Sequence, residues 1–127
     1  IYEPSPTLLI TGDLSFIYDS NGLWNNYIKP NFRIIVINNG GGGIFRILPG
    51  KEETDNFNTF FETTHNLNIQ SIAEMYNFEF ESVSNKIDLI EALGNFYKAS
   101  EKPKILEIKT PRLLNNNILL SYFDFIS

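Results

Sequence analysis

Two apolar runs of strand length, Leu8-Leu9-Ile10-Thr11 and Arg33-Ile34-Ile35-Val36-Ile37, stand one helix-compatible stretch apart, and each ends in small or polar residues. The first continues into Gly12-Asp13-Leu14-Ser15-Phe16, the second into Asn38-Asn39-Gly40-Gly41-Gly42-Gly43-Ile44-Phe45. Runs of this kind read as parallel strands, because a parallel pair needs a crossover long enough to bring the chain back to the start of the sheet. The stretch from Leu8 to Phe45 therefore predicts a βαβ unit. A helix from Ser15 to about Tyr27 travels roughly 20 Å at ~1.5 Å per residue, and a strand of about six residues covers about the same distance back. Asp13 and Asn39 are then expected at one edge of the sheet, outside the carboxyl ends of its strands, where open α/β sheets bind ligands.

The residue types at that edge suggest what the ligand is. Asp13 offers a carboxylate and Asn39 an amide oxygen, both hard donors suited to Mg²⁺ or Ca²⁺. Gly40 to Gly43 let the backbone turn through positive φ and approach a ligand closely, so that main-chain carbonyl and N–H groups become further metal or phosphate contacts. Together they predict a metal–diphosphate cradle. The structural alternative is an Asp13 that caps the following helix and a glycine run that only turns. The chain would then be a non-catalytic α/β interaction module.

Composition narrows the classes. At 127 residues the chain is long enough to bury one core, and 43% apolar with 14% aromatic content argues against disorder. The formal charge is −5 and the pI about 4.8, with no run of Lys or Arg, so the footprint of a nucleic-acid binder is missing. An acidic chain that binds an anionic diphosphate needs a cation between them, which favours a metal site. With no cysteine, disulfides and thiolate zinc sites are excluded. No apolar run approaches the roughly 20 residues that span a bilayer, and the default expectation is a cytoplasmic protein. The chain opens on Ile1 rather than Met, from which a piece of a longer protein is expected, with apolar edges left uncovered.

Along the rest of the chain, Ile1 to Thr7, with Pro4 and Pro6, reads as a loop entering the first strand. Phe16, Ile17, Leu23, Trp24 and Tyr27 are expected to pack the first helix on the sheet, with Gly22 weakening it. Ile44, Phe45, Ile47 and Leu48 form a short apolar turn ended by Pro49-Gly50. Lys51 to Asn68 shows no period and reads as a surface excursion holding the only His, His65, for which a structural role is expected. A helix follows at Ile69, Ile72, Ala73 and Tyr76, then an alternating strand from Phe78 to Val83. Ser84 or Asn85 caps a second helix with Ile87, Ile90, Leu93 and Tyr97 on one side. A strand at Lys104 to Lys109 precedes a last helix entered at Thr110-Pro111 and marked by Leu114, Ile118, Tyr122 and Phe125.

Gly12-Asp13 followed by Asn38-Asn39 resembles the thiamine-diphosphate motif, which opens with Gly-Asp-Gly and closes with Asn-Asn. The fuller pattern adds Leu14-Ser15-Phe16, Tyr18-Asp19, Asn21-Gly22-Leu23, the glycine cluster, Ile44-Phe45, Phe61-Glu62-Thr63-Thr64-His65 and Glu107-Ile108-Lys109-Thr110-Pro111-Arg112. In that form the chain resembles the 2-succinyl-5-enolpyruvyl-6-hydroxy-3-cyclohexene-1-carboxylate synthases, thiamine-dependent carboligases of menaquinone biosynthesis. The resemblance implies a three-layer α/β fold with a mainly parallel sheet and helices on both faces, residues 1–127 being the C-terminal diphosphate-binding part of a larger enzyme. It implies thiamine diphosphate and Mg²⁺ (or Mn²⁺) as cofactors, with Asp13, Asn39 and the carbonyl of Gly41 on the metal. Gly12, Asp13, Leu14, Ser15, Asn39, Gly41, Gly42 and Ile44 are the implied cofactor contacts, and Ile44 and Phe45 the implied wall of the substrate pocket.

By the same resemblance the whole enzyme, a homodimer or homotetramer, decarboxylates 2-oxoglutarate and adds the succinic-semialdehyde unit to isochorismate. The activating Glu is expected on a domain outside this chain, so no catalytic residue is assigned and the isolated chain is expected to be inactive. Arg33, Arg46 and Arg112 are not assigned to substrate carboxylates. Leu14 departs from the third Gly of the general motif, and Gly40 stands where the synthases often have a third Asn. Asn39 follows Asp13 by 26 positions, within the range of the motif. An acetolactate-synthase-like carboligase is the enzymatic alternative.

Overall fold

The computed structural model describes residues 6–48 and 54–126. The chain divides into two compact units, Ile1–Asn38 with Asn68–Lys109 and Asn39–Leu67 with Thr110–Ser127. The loop expected at residues 1–7 falls largely outside the described residues, as does the Pro49-Gly50 turn.

The first unit is an all-parallel α/β sheet of four strands, β1 (Thr7–Gly12), β2 (Phe32–Asn38), β3 (Glu79–Val83) and β4 (Lys104–Lys109), in the order β1-β2-β4-β3. The β-branched runs of β2 and β4 make them the buried centre, since a parallel strand covered on both faces must be apolar throughout. Ile34, Ile35, Val36, Ile105 and Leu106 are all buried. Alternation along the strands sends Ile34, Val36 and Ile105 to one face, where they meet Phe16 of α1 (Asp13–Asp19) and Ile69 and Ala73 of α2 (Ile69–Met75). Ile35 and Leu106 point the other way, onto Ala92 and Phe96 of α3 (Lys86–Phe96). Helices thus cover both faces, the expected three layers. Each fully buried Ile contributes about 1.5–3 kcal/mol. The edge strand β1 leaves Leu8, Leu9 and Ile10 exposed.

Several expectations need correction. The helix expected over Ser15–Tyr27 is only α1, which passes at Ser20 into a 3-10 helix, Ser20–Trp24. Ser20, Asn21 and Gly22 are poor helix formers and release the chain there. Leu23 still packs against the core, but Trp24 is 75% exposed and Tyr27 is also exposed. In α3, capped by the Asn85 side chain accepting from the Asp88 N–H at 3.0 Å, the stripe on the sheet is Leu89, Ala92, Leu93 and Phe96. Ile87, Ile90 and Tyr97 are exposed. Small Ala92 permits the close approach of helix and sheet, and that sets the rotation of the helix.

In the second unit a 3-10 helix, Gly43–Ile47, follows the glycine run, and a turn of π-helix, Phe57–Phe61, interrupts what read as a periodless excursion. The last helix, α4 (Asn115–Ile126), packs on the Gly43–Ile47 helix. It starts later than Thr110-Pro111 suggested, because the Thr110 hydroxyl accepts from the Asn115 side chain at 2.8 Å instead of capping a first turn. Leu114, Ile118, Tyr122 and Phe125 are exposed.

Candidate functional site

The parallel register pairs Gly12 with Ile37, so β1 and β2 end at the same sheet edge with Asp13 and Asn38 next in each chain direction. Asp13 is the first residue of α1, buried, and its Oδ1 accepts from the Leu14 N–H at 2.9 Å. The N-cap is Gly12, whose position makes no side-chain cap. Leu14 is half-buried and Ser15 exposed.

Asn38 is anchored from across the sheet. Its Nδ2 donates to Glu107 Oε1 at 2.6 Å, and Ser82 Oγ donates to Glu107 Oε2 at 2.6 Å. Glu107 is buried at the carboxyl end of β4, with Lys109 Nζ 3.6 Å from Oε2. A buried carboxylate of this kind is tolerable because both oxygens find donors. It fixes the end of β2 immediately before Asn39.

In the second unit Asn39 turns its side chain back along the loop, with Oδ1 accepting from the Gly41 N–H at 3.3 Å. Gly40 adopts φ +76°, which a residue with a Cβ enters at a cost. Gly41 is required by space, since a Cβ there would sit 2.8 Å from the Glu62 carbonyl oxygen. Gly42, at φ −81° and ψ 73°, is the centre of an inverse γ-turn in which the Gly43 N–H donates to the Gly41 carbonyl at 3.1 Å. Ile44 is 64% exposed, and Phe45 is half-buried with its ring edge-on to Phe61 at 5.9 Å.

Beneath the glycines lies a charge pair whose importance was not visible in the sequence. Arg46 donates from Nε to Glu62 Oε1 at 2.7 Å and from Nη2 to Oε2 at 2.5 Å, with Glu62 0% and Arg46 4% exposed. The His65 N–H donates to the Gly40 carbonyl at 3.2 Å, and its Nδ1 accepts from the Leu67 N–H at 3.2 Å. Arg33 is also structural: it is buried, donating to the carbonyls of Pro30, Phe96 and Lys98. Among the described residues no three His, Cys, Asp or Glu side chains cluster as a metal site. The first unit offers the Asp13 carboxylate, and the second offers the Asn39 amide oxygen and main-chain carbonyls, each a donor type suited to a hard cation.

The model of the thiamine pyrophosphate enzyme C-terminal TPP-binding domain matches residues 2–108. The chain belongs to this family. Among its relatives it is 55% identical over 99% of its length to the 2-succinyl-5-enolpyruvyl-6-hydroxy-3-cyclohexene-1-carboxylate synthase of Christiangramia forsetii. The synthases of the same name from Flavobacterium psychrophilum and Porphyromonas gingivalis are 55% and 42% identical over 92% and 95% of the chain. It spans 22%, 21% and 21% of these three relatives' lengths. TPP binding, thiamine diphosphate being the same molecule, is thus the activity of the family to which this βαβ edge belongs.

Proposed function

We propose that residues 1–127 form the C-terminal diphosphate-binding part of a larger 2-succinyl-5-enolpyruvyl-6-hydroxy-3-cyclohexene-1-carboxylate synthase. Asp13, the Asn39 amide oxygen and the Gly41 carbonyl would hold Mg²⁺ or Mn²⁺, with Gly12, Leu14, Ser15, Gly42 and Ile44 against thiamine diphosphate. The bound cofactor supplies the carbanion chemistry for decarboxylating a 2-oxo acid and joining the remainder to an acceptor. The chain's own residues bind and orient. A buried carboxylate attracts the cation, glycines admit the diphosphate without side-chain obstruction, and exposed Ile44 with Phe45 offers an apolar wall that excludes water.

The substrates of the whole enzyme are 2-oxoglutarate and isochorismate in this proposal, and the assembly a cytoplasmic homodimer or homotetramer. The observation that carries it is the Gly12–Ile37 register, which ends two strands of a TPP-family sheet at one edge with Asp13 and Asn38-Asn39 next in sequence. The test is calorimetry of thiamine diphosphate on the full-length synthase, with and without Mg²⁺, followed by turnover of 2-oxoglutarate with isochorismate. Metal-dependent binding and turnover of that pair are expected. Metal-dependent binding with turnover of pyruvate alone would favour the acetolactate-synthase-like carboligase, and no binding would leave the interaction module.

A further inference from the structure

The glycine loop is held by one residue in two ways, and that residue is Glu62. Its carbonyl oxygen accepts the Gly42 N–H at 2.6 Å and occupies the place where a Gly41 Cβ would be. The Gly42 N–H and the Gly41 carbonyl belong to one peptide plane. In a trans peptide the two point in opposite directions, so anchoring the N–H on Glu62 aims the Gly41 oxygen away from it. The direction of that carbonyl is thus fixed by where the Glu62 backbone lies.

The Glu62 side chain decides where its backbone lies. Arg46 grips both carboxylate oxygens in a fork, and Arg112 Nη1 stands 3.7 Å from Oε2. Arg46 is itself set by Asn58 Oδ1 at 3.3 Å and by the Phe57 ring, 5.7 Å from its guanidinium carbon. A bidentate pair constrains orientation as well as distance. Thr63, next in the chain, is held at φ +49°, a conformation a β-branched residue adopts only when its surroundings enforce it. Burying an ion pair is a poor way to gain stability, since an apolar pair of similar volume does as well or better. Geometry is what the pair supplies and an apolar pair does not.

We propose that Glu62, oriented by Arg46, is a positioning residue that aims the Gly41 carbonyl at the metal of the bound diphosphate. This rests on the metal and cofactor reading above, and the test separates the two. The probes are Mg²⁺ and thiamine diphosphate on the full-length synthase, wild type against Arg46→Met and the double variant Arg46→Met/Glu62→Leu. The single variant leaves a buried carboxylate poorly compensated and is expected to melt earlier. The double variant is expected to recover the wild-type Tm.

Both are expected to need roughly tenfold more Mg²⁺ for half-saturation, the usual scale for losing an outer support of a metal ligand. In cofactor-free protein, hydrogen exchange of the peptide spanning residues 39–43 is expected to rise in the double variant despite its normal Tm. A double variant with wild-type Mg²⁺ dependence and loop protection would overturn the positioning role while leaving the cofactor reading intact. Wild-type protein that shows no metal-dependent binding would overturn both.

Discussion

The sheet unit and the glycine-loop unit are built on opposite principles. In the sheet, position follows from burial: Ile34, Val36, Ile105 and Leu106 are buried between helices, and many similar apolar side chains would serve. In the loop the largest fully buried side chain is Glu62, and Gly40 to Gly43 are placed by directed bonds to Glu62 and His65. Apolar burial gives stability without direction, whereas hydrogen bonds and ion pairs give direction at little net stability. A cation that needs carbonyls and amides aimed at one point requires the second kind of support.

If that contrast holds, damage in the two regions should be read by different instruments. Ile105→Ala, in β4 and 1% exposed, should lower the unfolding free energy by about 3 kcal/mol in urea titration. Its effect on metal affinity should be no more than follows from the population unfolded. A smaller loss than about 1 kcal/mol would mean that the sheet is not held by its apolar layers. Gly41→Ala should reverse the pattern. The new Cβ meets backbone at 2.8 Å, so the loop must shift, for about 2 kcal/mol at most. Yet metal-dependent binding should fall at least roughly tenfold, and unchanged binding would show that the loop tolerates displacement.

The smallest effect sharpens the sheet side of the contrast. Glu79 at the start of β3 has its carboxyl held below the usual carboxylate range, first by the Ser100 hydroxyl that donates to it and then, against some desolvation, by Lys104 at 3.6 Å. A depressed folded pKa contributes stability above the ordinary value of 4.5, and this is lost as the pH falls through the lowered folded value. Because Glu79 is half exposed, the contribution is small. Ser100→Ala should therefore cost a little stability at pH 6, and the deficit should shrink steadily as the pH falls below the ordinary carboxylate range, measured by thermal unfolding. A deficit that does not shrink on acidification would place the role of Ser100 elsewhere.

What could be read in the sequence divides along the same line. The strands, their parallel order of ends and the place of Asp13 and Asn38-Asn39 followed from local apolar runs and the lengths of regular elements. Period alone did not reveal which face α3 buries, because Ile87, Ile90 and Tyr97 make as regular a stripe as Leu89, Ala92 and Phe96, and close packing through Ala92 settles it. Trp24 faces the sheet only on a helix that continues past Ser20, and the α-helix gives way to a 3-10 helix there. The burial of Glu62 and Glu107 was not legible, since their partners Arg46 and Asn38 lie 16 and 69 residues away and no local pattern links them. The resemblance carried by Phe61-Glu62-Thr63-Thr64-His65 has its physical reason in the backbone bonds of Glu62 and His65 to Gly42 and Gly40.

The central claim is that the ends of β1 and β2 furnish a metal-dependent thiamine diphosphate site. Calorimetry of thiamine diphosphate with Mg²⁺ on the full-length synthase, comparing wild type with Asp13→Ala and Asn39→Ala matched for folded content, tests it most directly. Loss of the metal-dependent part of binding in both variants is the predicted result. Folded variants that bind as the wild type does would contradict it.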